Sequence, residues 1–191
     1  MTHAHPLAGR VCLITGASSG IGAHLARRMA RAGAQVVLGA RRTELTGTIA
    51  EDINSAGGKA LAVPLDVTSE SSIAEAFASA ESRFGPVDTV VANAGVVRNG
   101  RSTDVPEADL RQVYDTNLLG VHLTANGAAR AMMAAGSRES EAGRIVIIGS
   151  ITAQMTGQGD AAYAASKAGV AHLGRQLARE WVRQGINVNT V

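Results

Sequence analysis

Short apolar runs alternate with longer amphipathic segments along the whole chain. The apolar runs are rich in Val and Ile and have the length of strands buried on both faces, whereas the segments between them follow a helical repeat. The predicted strands cover residues 11–15, 35–40, 60–65, 87–93, 144–150 and 186–191, and the predicted helices cover about 20–32, 43–56, 69–84, 106–135 and 161–184. Strands separated by helices in this way indicate a parallel sheet covered on both sides.

With right-handed crossovers, this order of elements gives an α/β, doubly wound Rossmann fold: a parallel sheet of about six strands with helices on both faces. No linker, repeat or low-complexity stretch interrupts the pattern, so residues 1–191 are predicted to form a single domain. The polar stretch 136–143 is predicted to be a surface loop.

The composition narrows the class of partner. The chain has 191 residues, 46% of them hydrophobic, which suffices for one sizeable core. Its net charge is only +2 and it has no basic block, so neither nucleic acid nor a membrane is an expected partner. The single cysteine, Cys12, lies in an apolar run and is predicted to be a buried thiol in a cytoplasmic protein. The histidines show no ligand spacing, so no metal site is expected.

A glycine-rich turn, "TGASSGIG" (15–22), follows the first predicted strand and opens a helix. Free backbone N–H groups and the positive helix end make such a turn a site for pyrophosphate. Gly16 permits the tight turn, Gly20 the close approach of the phosphate, and Gly22 the packing of helix on strand. The alternative is an ordinary strand–helix turn.

The spacing Thr-Gly-x-x-x-Gly-x-Gly resembles that of the short-chain dehydrogenase/reductase superfamily, and in particular its 3-oxoacyl-acyl-carrier-protein reductase-like members. The motifs "LDV" (65–67) and "NAG" (93–95) resemble two further signatures of that family. Asn117 in "YDTNLLG", Ser150 in "IIGS", and the pair Tyr163 and Lys167 complete the set in the family's order.

This resemblance implies that Asp66 accepts a hydrogen bond from the adenine amino group and that Asn93 stabilises the sheet beneath the cofactor. The alternatives are a helix-capping Asp and a turn Asn. The implied cofactor site consists of Gly16, Ser18, Ser19, Gly20, Ile21, Gly22, Arg41, Asp66, Val67, Asn93, Ala94, Gly95, Tyr163 and Lys167.

Tyr163 and Lys167 are four residues apart, so on a helix they share one face. A free phenol has a pKa of about 10, and a nearby ammonium favours its ionised form, which makes a tyrosine usable as an acid and base. The alternative is a chance pair on an amphipathic helix. By the resemblance, Tyr163 exchanges a proton with the substrate oxygen, Ser150 hydrogen-bonds that oxygen, Lys167 binds the nicotinamide ribose, and Asn117 holds a relay water.

The cofactor is predicted from "GARR" (39–42), at the end of the second strand. A carboxylate there would bind the ribose of NAD, but Ala40 occupies that position and Arg41 follows it. A guanidinium suits a 2′-phosphate, so NADP(H) is favoured and NAD(H) is possible. The alternative is that Arg41 and Arg42 form a solvated surface pair, a description that fits Arg42 better than Arg41. Tyr114 is interpreted as a packing residue.

The predicted function is that of an NADP(H)-preferring oxidoreductase that interconverts a small-molecule carbonyl and a secondary alcohol. The chain ends at Val191, without the lid and the seventh strand of the family, so the alternative is a truncated relative, weakly active or inactive, that binds nucleotide or another subunit. A homodimer or homotetramer is also expected, because the helices predicted over 106–135 and 161–184 carry apolar residues on several sides, including Leu173, Leu177 and Trp181.

Overall fold

The computed structural model describes residues 5–191, and its strands match the sequence pattern closely. The strands are β1 (Val11–Thr15), β2 (Gln35–Ala40), β3 (Lys59–Pro64), β4 (Thr89–Ala92), β5 (Gly143–Ile147) and β6 (Ile186–Thr190). They form one sheet in the order β3-β2-β1-β4-β5-β6, and every neighbouring pair is parallel. The predicted doubly wound sheet of about six strands is therefore confirmed.

Helices cover both faces of this sheet. They are α1 (Gly20–Arg31), α2 (Thr43–Ser55), α3 (Glu70–Phe84), α4 (Glu107–Tyr114), α5 (Gly120–Ala134), α6 (Ser137–Ser140) and α7 (Ala161–Trp181). Successive residues of a strand point to opposite faces, so Leu13 joins the core that includes α3, α5 and α7, whereas Cys12 and Ile14 join the core under α1 and α2. Burial raises the pKa of the Cys12 thiol to about 12, in keeping with a structural role.

Three segments differ from the predicted elements. The single helix predicted over 106–135 is divided by a π-helical turn, Asp115–Leu119, which adds a residue that the hydrophobic period does not reveal. The last predicted helix leaves the α conformation at Trp181 and continues as a 3-10 turn, Val182–Gln184. The predicted loop 136–143 contains α6, where the Ser137 hydroxyl is buried and donates to the Gln184 carbonyl at 2.7 Å.

Two interpretations of single side chains are wrong. Leu177 and Trp181 are buried in the core of their own subunit, with 4% and 7% exposure, so they do not call for a second chain to cover them. Tyr114 is 39% exposed, so it is not a core packing residue.

Within residues 5–191, no helix combines the length and the apolar character needed to cross a membrane.

The strand order creates a crevice at one place. The chain moves outward from β1 to β3 on one side and then continues from β4 to β6 on the other, so β1 and β4 are neighbours. Loops that leave the carboxyl ends of two such strands turn in opposite directions and leave a gap between them. The glycine-rich turn after β1 and the segment 93–95 after β4 border this gap.

Candidate active site and cofactor cleft

A set of hydrogen bonds joins the ends of β1 and β4. The buried Thr15 hydroxyl accepts from the main-chain N–H groups of Asn93 and Ala94, each at 3.1 Å. In return, the Asn93 amide donates to the carbonyls of Thr15 and Gly16, at 2.9 and 3.2 Å. Asn93 thus holds the glycine-rich turn against the sheet. Thr15 is an equal partner that the sequence analysis did not single out.

The three glycines of the turn differ in their surroundings. Gly16 has φ +66°, and a Cβ there would lie 2.7 Å from the Ala94 Cα. A Cβ on Gly22 would lie 2.6 Å from both the Asn93 amide nitrogen and the Gly16 carbonyl oxygen. Gly20 has φ +57°, but a Cβ there would meet no described atom within 4 Å. Gly16 and Gly22 therefore serve close packing, whereas Gly20 leaves open space beside the turn.

A cleft of about 370 Å³ opens in front of this turn. Its lining includes most of the residues predicted to bind the cofactor: Gly16, Ser18, Ser19, Ile21, Arg41, Asp66, Val67, Asn93, Ala94 and Gly95. The sequence analysis did not assign a binding role to its other lining residues, which are Ala40, Arg42, Leu65, Val96 and Thr116. Gly20 adjoins the cleft in the turn itself, and Gly22 lies behind it. Tyr163 and Lys167 are not part of this lining.

Asp66 lies in the cleft as an ionised acceptor. One carboxylate oxygen accepts from the Thr68 main-chain N–H at 3.0 Å and from the Thr68 hydroxyl at 2.7 Å. These two bonds, helped less by the charge of Arg41, hold the pKa of Asp66 below its usual range. The capping residue of α3 is Ser69, so the helix-capping alternative for Asp66 is wrong. The second carboxylate oxygen accepts no hydrogen bond from the described residues and can receive an amino group.

Arg42 is exposed, as the sequence suggested, but its side chain also makes contacts within the cleft. One of its terminal nitrogens donates to the hydroxyls of Ser18 and Ser19, at 2.8 and 3.0 Å. The side chain therefore reaches from the end of β2 to the glycine-rich turn. Side-chain direction decides this contact, and two consecutive arginines in a sequence do not reveal it.

Tyr163 and Lys167 do share one face of α7, as their spacing predicts. The Lys167 Nζ lies 5.7 Å from the centre of the Tyr163 ring. The lysine is only 3% exposed and donates to the Ile148 carbonyl at 2.7 Å, just beyond the end of β5. This burial lowers the pKa of Lys167. The accepting carbonyl belongs to Ile148, two residues before Ser150 in the sequence.

Among the described residues, the Ser150 hydroxyl accepts two hydrogen bonds and donates none. It accepts from the Thr152 main-chain N–H at 3.2 Å and from the Thr152 hydroxyl at 2.9 Å. These contacts fix its direction at the start of a 3-10 turn, Ile151–Ala153. A hydroxyl held in this way donates its own proton to an external acceptor such as a substrate oxygen.

Asn117 is fully buried in the π-helical turn, and its side chain holds the segment after β4. Its oxygen accepts from the Val96 main-chain N–H at 2.8 Å, and its amide donates to the Val96 carbonyl at 2.8 Å and to the Ser166 hydroxyl at 3.2 Å. Both amide protons of Asn117 are thus used. The relay water stays a prediction, and such a water could contact Asn117 only at an acceptor oxygen. Gly95 lies between the side chains of Asn117 and Lys167. A Cβ on Gly95 would be 3.4 Å from the side-chain oxygen of Asn117 and 3.9 Å from the Lys167 Nζ.

Comparisons with known proteins give one consistent result. Residues 10–191 match the family model for short chain dehydrogenase. The chain is 40% identical to cis-4-hydroxycyclohexanecarboxylate dehydrogenase of Sinomonas cyclohexanicum and 37% identical to the 3-oxoacyl-acyl-carrier-protein reductase of Escherichia coli. Each match covers 96% of this chain and 72% of the relative. The crystal structure of a short-chain type dehydrogenase/reductase from Mycobacterium marinum superposes with a TM-score of 0.92 at 36% identity, over 98% of this chain and 75% of that one.

Proposed function

This chain belongs to the short-chain dehydrogenase family of NAD(P)-dependent enzymes, and from that premise we propose that it is an NADP(H)-preferring oxidoreductase interconverting a carbonyl and a secondary alcohol. The observation that carries the proposal is the buried ammonium of Lys167, held 5.7 Å from the Tyr163 ring centre by the Ile148 carbonyl. A lysine kept beside a phenol at this position has a chemical use and little structural one, because burying an ammonium destabilises a fold.

The cleft fits a dinucleotide in its own residues. The open space beside Gly20 allows a phosphate to approach the backbone, and the amino end of α1 attracts its charge. Asp66 would receive the adenine amino group on its free carboxylate oxygen. When bound, the nicotinamide supplies or takes up the hydride. The absence of a carboxylate at Ala40 and the presence of Arg41 and Arg42 favour NADP(H) over NAD(H).

The remaining chemistry is a proton transfer. In the direction of reduction, Tyr163 would donate its phenolic proton to the carbonyl oxygen, and Ser150 would donate a hydrogen bond to the same oxygen from its free proton. The Lys167 ammonium would stabilise the phenolate that remains. A non-catalytic relative is the alternative, but it would have no need of a buried lysine or of a Ser150 proton left free.

We also propose that the protein is a homodimer or homotetramer. Leu177 and Trp181 do not support this proposal, because their own subunit covers them. Tyr114 and Leu119, on the helical segment that carries Asn117, are 39% and 48% exposed, and large apolar side chains on one segment favour contact with another chain.

The test compares the two tyrosines of the chain. We would assay the purified protein with NADP+ and cis-4-hydroxycyclohexanecarboxylate, and with NADPH and a 3-oxoacyl thioester, substrates taken from the names of the two relatives. Tyr163→Phe should lower turnover by at least about a hundredfold, because the acid/base group is lost, and should leave NADPH binding within about twofold. Tyr114→Phe is the matched control and should keep turnover. Equal activity of the two variants would contradict the proposed mechanism.

A further inference from the structure

Thr152 makes two hydrogen bonds to a single oxygen atom, the Oγ of Ser150. Its main-chain N–H donates to that oxygen at 3.2 Å, and its hydroxyl donates to it at 2.9 Å. A serine hydroxyl has two lone pairs and one proton, so the two bonds from Thr152 occupy its whole acceptor capacity. The group that remains for a ligand is the Ser150 proton, which no residue within 5–191 accepts.

The buried serine of α7, Ser166, shows the contrasting case. Its hydroxyl accepts from the Asn117 amide at 3.2 Å and donates its own proton to the Tyr163 carbonyl at 2.6 Å. The proton of Ser166 is therefore used inside the protein, as is usual for a buried hydroxyl. At Ser150 the protein uses only the oxygen and leaves the proton to a partner from outside.

The 3-10 turn after β5 is closed without the Thr152 hydroxyl. The Ala153 main-chain N–H donates to the Ser150 carbonyl at 3.1 Å. The Gln154 main-chain N–H donates to the Ile151 carbonyl at 3.0 Å. Thr152 is half-buried, so water could reach its hydroxyl in place of the contact with Ser150. The bond from the Thr152 hydroxyl therefore sets the direction of the Ser150 hydroxyl and is not needed to form the turn.

From these contacts we infer that Thr152 is a positioning residue for the reaction, because its two donors saturate the Ser150 oxygen and direct the Ser150 proton to the substrate oxygen. The inference rests on the proposed function, in which Ser150 donates to that oxygen. A hydroxyl that receives hydrogen bonds is polarised and becomes a better donor itself. The occupied lone pairs also keep an alcohol substrate from giving its proton to Ser150, so that proton goes to Tyr163.

A double-mutant cycle in kcat/KM tests this role, in whichever of the two assays described above gives the higher turnover. Thr152→Val keeps nearly the same volume and removes the hydroxyl, so kcat/KM should fall by about three- to tenfold, the value of one hydrogen bond. In a Ser150→Ala background the same change should have an effect of less than about twofold, because the oxygen that Thr152 positions is gone. Thr152→Ser restores a hydroxyl donor and should bring kcat/KM to within about twofold of the parent.

Two controls distinguish positioning from a structural role. Thr48→Val removes a hydroxyl of α2 that donates to the Glu44 carbonyl at 3.1 Å, outside the lining of the cofactor cleft, and should leave kcat/KM unchanged. The Tm of Thr152→Val and its Kd for NADPH should match those of the parent, because the turn keeps its main-chain bonds.

The outcomes separate this inference from the proposed function. If the parent showed no turnover, or if Ser150→Ala kept the parent turnover, the proposed mechanism and the role of Thr152 would both be wrong. If Ser150→Ala lowered turnover and Thr152→Val did not, the mechanism would stand and the Thr152 assignment would fail. Equal effects of Thr152→Val in both backgrounds, or no recovery in Thr152→Ser, would also contradict the assignment. If Ser150→Ala had no measurable turnover, the comparison of Thr152→Val with Thr152→Ser at unchanged NADPH Kd would decide.

Discussion

Replacing Asn117 with Ala should lower the stability of the protein substantially, in addition to any effect on activity. The Asn117 side chain is fully buried and makes three hydrogen bonds, two with the main chain of Val96 and one with the Ser166 hydroxyl. Alanine would remove all three and leave the Val96 main-chain groups without these partners, whereas the Ser166 hydroxyl keeps its bond to the Tyr163 carbonyl. The segment 93–96, which borders the cofactor cleft, would lose its link to the π-helical turn.

The size of the effect follows from the partners left behind. A buried polar group without a partner costs about 1–3 kcal/mol. Val96 is half-buried, so water can reach its main chain, and the lower figure of about 1 kcal/mol applies to each bond. The free energy of unfolding should therefore fall by about 3 kcal/mol. For a domain of this size, that corresponds to a Tm lower by about 6–12 °C.

Thermal unfolding followed by circular dichroism measures this change, and Ser166→Ala provides the graded control. That variant loses one of the three Asn117 bonds and the bond that Ser166 donates to the Tyr163 carbonyl, so its Tm should fall by about two thirds as much. NADPH affinity should also decrease in Asn117→Ala, because Gly95 and Val96 line the cleft. A Tm within about 2 °C of the parent would refute the reasoning that these bonds anchor the segment.

Two further predictions concern the glycine-rich turn and the assembly. Gly22→Ala, whose methyl would lie 2.6 Å from the Asn93 amide nitrogen, should destabilise the protein by about 1–3 kcal/mol, as a melting curve would show. Gly20→Ala should cost only about 1 kcal/mol, for its positive φ, but should weaken NADPH binding more than its stability loss explains; equal behaviour of the two variants would contradict their assigned roles. Light scattering should find a dimer or larger species for the parent and a smaller one for Leu119→Glu, whereas a parent that is monomeric at all micromolar concentrations would argue against self-association.

The regular parts of the fold could be predicted because their signals are local. A strand buried on both faces must be apolar throughout, and a turn with positive φ favours glycine, so the strands and the turn at 15–22 could be located by inspection. The shared face of Tyr163 and Lys167 could be predicted from their spacing for the same reason, since a helix puts residues four apart on one face. The structure adds what fixes the lysine, the Ile148 carbonyl, which lies on another element.

The features that the sequence does not predict depend on the direction of side chains or on contacts between residues far apart in the chain. The π-helical turn inserts one residue between α4 and α5, directly before Gly120, where a Cβ would be 2.7 Å from a Val67 methyl group. The contact of Arg42 with Ser18 and Ser19 depends on the direction of its side chain at the end of β2, where the strand gives way to a helix. Tyr114 was misjudged because an exposed apolar residue and a buried one look alike in a sequence.

The charge of Lys167 shows how the fold prepares the site for chemistry. In the described part of the chain, Lys167 has no carboxylate partner, and its contact is with the neutral carbonyl of Ile148. A carboxylate in that place would balance the ammonium and weaken its field at the Tyr163 ring. A carbonyl fixes the position of the ammonium and leaves its charge largely intact. Since the Lys167 Nζ lies 5.7 Å from the centre of the Tyr163 ring, the phenolate of the proposed mechanism would meet a positive charge that is already in position.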